Sequence, residues 1–159
     1  MATQNPNKKP NLICTCGSIP ADGADTAVPG VAILTCAGGS NTGQITNAAG
    51  IMLAKNGVGY LACLAGVGAE AKATLSKLAR AQKVAVIDGC SVACGKGMMD
   101  KAGIKTDYYL QVMDLGIRKD PGVLDPDPEA VARVVSAVTA GIQEAAVASG
   151  MKPDNGLTG

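Results

Sequence analysis

The chain alternates between two hydrophobic patterns: short unbroken apolar runs, and stretches with an apolar residue every third or fourth position. Residues 31–36 (VAILTC) are an unbroken run, the pattern of a strand buried on both faces. A Gly-Gly-Ser turn follows, with Ser40 or Asn41 set as a helix N-cap. Ile45, Ala48, Ala49, Met52 and Leu53 then recur at helical spacing as far as Asn56-Gly57. The unit repeats. Residues 59–64 predict a second strand, 65–68 its turn, and 70–82 a helix with Leu75, Leu78 and Ala79 inward. Residues 83–88 (KVAVID) predict a third strand, Gly89-Cys90 a turn, 92–102 a short helix stopped by Gly103, and 107–112 a fourth strand. Pro121 and Pro126 mark a loop. Asp127-Pro128 opens a last helix, with a capping side chain before a first-turn proline and Val131, Val134, Val135, Val138 and Ile142 as its apolar stripe, ended by Gly150.

Strands alternating with helices predict a parallel sheet with right-handed crossovers. The expected architecture is a three-layer α/β, Rossmann/flavodoxin-like single domain, with the first strand central between the second and third. The domain spans about 29–150. Residues 1–28, rich in Asn, Lys, Pro and Asp, read as an irregular lead-in, and 151–159 as a frayed tail.

Composition narrows the function classes. A net charge of +1 offers no electrostatic attraction for nucleic acid or an anionic membrane, and three Tyr with no Phe or Trp leave no stacking platform for single strands. No apolar run has the length of a membrane span or the form of a signal peptide, so the expected location is cytoplasmic. Thiols stay reduced there, and the six Cys read as metal ligands or redox thiols instead of disulfide staples. There is no His, which excludes Ser-His-Asp and Cys-His catalysis and every His-containing metal site.

Three cysteines stand out by position. Cys36, Cys63 and Cys90 each end a predicted strand, with 26 residues between one and the next, the length of one β-α repeat. Parallel strands return to the same edge, so all three are expected at the carboxyl edge, where open α/β sheets bind ligands. Cys94 follows Cys90 by four residues, which one helical turn would bring to the same face. Helix N-termini at that edge carry partial positive charge and favour thiolate. A bland alternative stands beside this: buried Cys also serve as small hydrophobes in cores.

Other residues near this edge are candidates for supporting roles. Asp88 is a candidate hydrogen-bond acceptor behind the ligands, a fourth ligand if one Cys is free, or a turn-former. Ser40, Asn41, Thr42 and Gln44, in a Gly-rich turn before a helix, are candidates for a substrate or anion loop, or for plain helix capping. A cysteine-phosphatase loop would need an Arg to clamp the phosphoryl group, and this turn has none. Cys14 and Cys16 are candidate extra thiols, or occupants of an apolar lead-in strand.

Four segments, taken in order, resemble the DGC-domain family: LTCAGGSNTGQ at 34–44, CLAGVG at 63–68, IDGCSVAC at 87–94 and DLGI at 114–117. The family takes its name from the Asp-Gly-Cys found here at 88–90. The likeness covers about 31–118 and departs from the usual pattern after Cys94. It implies a zinc-binding protein without an assigned reaction, its chelating cysteines matching Cys36, Cys63, Cys90 and Cys94. The expected cofactor is therefore Zn2+, in a closed structural site or an open catalytic one. The alternative is a redox protein, with an Fe–S cluster on the same cysteines or a Cys90/Cys94 thiol–disulfide pair. A small molecule or anion is a candidate partner. A homo-oligomer is compatible with the sequence but not specified by it.

Overall fold

Six consecutive buried residues, Lys83–Asp88, form the strand on which the rest of the fold is laid. In the computed structural model, which describes residues 30–148, this strand is the third of four. The order along the chain is β1 (Val31–Thr35), α1 (Asn41–Lys55), β2 (Tyr60–Leu61), α2 (Leu64–Gly68), α3 (Lys72–Ala79), β3 (Lys83–Asp88), α4 (Cys94–Lys101) and β4 (Tyr108–Gln111). A 3-10 helix (Val112–Leu115) and α5 (Pro128–Ala148) complete it.

All strand pairings are parallel, in the order β2-β1-β3-β4, so β1 is central between β2 and β3 as its sequence predicted. Alternation along the central strands separates two cores. Ile33, Ala85 and Ile87 face α1 and α5 with Ile45, Leu53, Val134 and Val138. Ala32, Leu34, Val84 and Val86 face the other side with Val67, Leu78 and Met99. Side chains on both faces of a strand need apolar cover, and helices on both faces supply it. The result is the predicted three-layer arrangement.

Local signals account for most boundaries. Ser40 caps α1 by accepting from Gly43 N. Asp127 accepts from Glu129 N and Ala130 N at the start of α5. Gly103 takes a left-handed φ of 66° and ends the chain's path out of α4. In the α5 stripe Val131, Val134, Val138 and Ile142 are buried, and Val135 is half-buried.

Several predicted elements are shorter than expected. The second strand pairs only at Tyr60 and Leu61, because the chain turns at Cys63 into α2, where a plain turn had been expected. The third helix starts at Lys72, and Ala79 is exposed, so Leu78 is its main anchor. The fourth helix begins at Cys94 instead of Val92. Ala93 takes a left-handed conformation there (φ 51°), which interrupts the helical path before that point. The predicted lead-in, tail, Cys14, Cys16 and Gly150 lie outside the described residues.

Candidate thiolate site

The path of the sheet brings all four of Cys36, Cys63, Cys90 and Cys94 to its carboxyl edge, one on each of three strand exits and one at the start of α4. All four are free thiols. Cys36 continues β1 by one residue: its N–H donates to Ile87 O at 3.1 Å, extending the β1–β3 ladder. Its Sγ accepts from Gly89 N at 3.1 Å and lies 3.5 Å from Thr46 Oγ1. Cys63 is the N-cap of α2, with its Sγ accepting from Gly66 N at 3.3 Å. Cys90 is half-buried, and Lys119 Nζ donates to its Sγ at 3.4 Å. Cys94 is exposed and opens α4.

These placements divide the four. Cys36, Cys63 and Cys94 line one cleft of about 580 Å³ with Leu61, Leu64 and Met98, and Cys90 is not among its lining residues. The expectation that a helical turn sets Cys90 and Cys94 on one face is not met, because the helix starts only at Cys94 and the left-handed Ala93 intervenes. Among the described residues, no three Cys, Asp or Glu side chains lie close enough together to hold one metal ion.

The sulfurs nevertheless have polar partners. Three of the four sulfurs receive an N–H donor: Gly89 on Cys36, Gly66 on Cys63 and Lys119 on Cys90.

Asp88 has an assigned task. It is 1% exposed, and its two carboxylate oxygens accept from Gly95 N at 2.8 Å and Lys96 N at 2.9 Å. These are first-turn donors of α4 that would otherwise lack partners. Of its sequence-based roles, the turn-forming one is what the geometry displays: an acceptor reaching across the Cys90–Cys94 loop to cap the helix beyond.

The side chains of the candidate substrate loop are likewise engaged. Ser40 Oγ accepts from Gly43 N and contacts Thr42 Oγ1. Asn41 Nδ2 donates to Arg118 O at 2.9 Å, and its Oδ1 accepts from Asp120 N at 2.7 Å. Gln44 Nε2 donates to Gly38 O at 3.1 Å. Ser40 also forms an isolated bridge with Pro121, and Gly122 N donates to Gly39 O. Together these contacts clamp the 118–122 segment over the site and bring Lys119 to Cys90.

Sequence reasoning passed over Lys119 and Tyr109. Nothing local marks Lys119, whose place depends on a partner 78 positions away at Asn41. Tyr109 pairs in register with Val86, two residues before Asp88 and on the same side of the sheet. Only the strand register, read across the sheet, could have pointed to it. Burial, the charge of Asp88 and a hydrogen bond to that carboxylate push the Tyr109 phenol up from 10.0 to about 12. A raised pKa favours the protonated form in the folded state. Its contribution to stability is therefore complete below pH 10 and lost as pH rises towards about 12. In a phenolate absorbance titration, the highest-pH step of the folded protein should vanish in Tyr109→Phe. An unchanged profile in that variant would refute the assignment.

The DGC domain model matches residues 32–138, from β1 into α5. The anaerobic and virulence modulator AnvM of Pseudomonas aeruginosa is 24% identical over 90 residues, covering 57% of this chain and 69% of that protein. No solved structure matches the chain.

Proposed function

This chain belongs to the DGC domain family, and from that premise we propose that it is a zinc-binding protein whose ion is held by cysteine thiolates drawn from Cys36, Cys63, Cys90 and Cys94. The observation that carries the proposal is the set of N–H donors on sulfur: Gly89 on Cys36, Gly66 on Cys63 and Lys119 on Cys90. A buried or half-buried core cysteine has no need of them. A cluster of thiolates does, because each added negative charge is otherwise repelled by the next.

The thiols stand further apart than a coordination sphere allows, so binding would draw them inward. Cys94, exposed at the start of α4, has the freedom to turn. Bound zinc would hold the strand exits together and act as a Lewis acid at the cleft. Cys36 and Cys63 would keep their backbone donors, while Lys119 offsets charge beside Cys90. Reduced sulfur is required throughout, so the proposal carries with it a reducing compartment such as the cytoplasm.

Elemental analysis of protein purified without oxygen tests this directly. About one equivalent of zinc in colourless protein is expected, with Cys63→Ser weakening zinc binding by more than about 100-fold. Iron in a brown preparation would transfer the same cysteines to an Fe–S cluster. Less than about half an equivalent of any metal, with a Cys90–Cys94 disulfide found by mass spectrometry, would replace the zinc reading with a thiol–disulfide one.

A further inference from the structure

The cleft beside the thiols has a composition that its position alone would not suggest. A carboxyl-edge site in an α/β sheet commonly receives an anion, because helix N-termini point their N–H groups into it. Here several of the first-turn donors at this edge have internal partners. Ser40 Oγ takes Gly43 N on α1, Cys63 Sγ takes Gly66 N on α2, and Asp88 takes Gly95 N and Lys96 N on α4. Apart from the three cysteines, no residue lining the cleft carries an ionisable side chain. The walls are Leu61, Ala62, Leu64, Ala65 and Met98, and Asn47 and Thr35 are the polar lining groups besides the thiols. Against these walls, away from the sulfurs, an ion would give up hydration without a counter-charge. An apolar body would displace water from apolar surface.

We infer that this cleft, of about 580 Å³, binds an uncharged, largely apolar small molecule with one end against Cys36, Cys63 and Cys94. Its volume lies within the range of small-molecule pockets. The inference deepens the zinc reading by naming the class of ligand at the same edge, and it rests on that reading only for the chemistry at the sulfurs.

A matched set of probes isolates the charge dependence: cyclohexanol, cyclohexanecarboxylate and cyclohexylammonium share a ring and differ in charge. Amide resonances of residues 61–65 and of Met98 in the full chain are followed by NMR as each is added. Cyclohexanol should shift them at a concentration about tenfold lower than either ion requires. Ala65→Trp, at an exposed position on the cleft wall, should abolish those shifts while leaving the circular dichroism spectrum and Tm unchanged. Equal or stronger binding of the carboxylate by the zinc-free protein would overturn the inference in favour of an anion site. Absence of shifts with all three probes, or shifts that persist in Ala65→Trp, would overturn the cleft as a binding site. Zinc content measured on the same samples shows separately whether the metal reading holds.

Discussion

Asp88→Ala should lower the free energy of unfolding by about 3 kcal/mol, since it strips a buried acceptor from two backbone donors at once. Gly95 N and Lys96 N would be left facing a space that the carboxylate filled. Gly95 is itself buried, so water cannot readily replace the lost partner. Tyr109 would lose the neighbouring carboxylate charge as well. Asp88→Asn keeps the shape and one acceptor oxygen, but turns an NH₂ group towards one of the two donors. It should recover less than half of the loss. Urea denaturation of the three proteins checks this, and a cost below about 1 kcal/mol for the alanine variant would show that the cap contributes little. Because the same bonds fix the loop that carries Cys90 and Cys94, the proposed zinc binding should weaken alongside stability.

A second large effect is expected at Gly89. A Cβ there would lie 2.8 Å from Thr42 C, and 2.9 Å from both Gly43 N and Thr42 O. Those atoms are backbone in the first turn of α1 and cannot swing aside as a flexible side chain would. Gly89→Ala should therefore cost about 3 kcal/mol through forced separation of α1 from the β3 exit. The shift would also lengthen the 3.1 Å bond from Gly89 N to Cys36 Sγ. Gly97→Ala is the matched control: a Cβ meets nothing within 4 Å, and the position lies on exposed surface inside α4. It should be neutral, or stabilising by up to about 1 kcal/mol, because alanine is the better helix former. Equal Tm values for the two variants would contradict the steric argument.

These effects sit on either side of what could be read from the chain alone. The Gly-Cys step after β3 was visible as a turn, but its closeness to α1 was not. That closeness depends on two segments meeting 46 or 47 positions apart. Asp88 was visible as the carboxylate nearest the cysteines, with three roles open to it. The choice among them came from the start of α4, which the left-handed Ala93 moves on to Cys94. The second strand was overread for a similar reason. Its apolar run extends through Leu64, yet pairing stops at Leu61 because Cys63 caps a helix.

By itself, the sequence determined the alternation of strands and helices, the central place of β1, the two apolar faces of the sheet and the return of Cys36, Cys63 and Cys90 to one edge. Those features follow from periodicity and repeat length, which are local and survive small errors at element ends. Tertiary structure alone decided that Cys36, Cys63 and Cys94 share a cleft while Cys90 meets Lys119. It also decided that Ser40, Cys63 and Asp88 cap first-turn donors of three helices at that edge. Such outcomes depend on where distant loops cross and which donors they find. A clamp such as Asn41 on Arg118 and Asp120 leaves no periodic trace in the residues that form it.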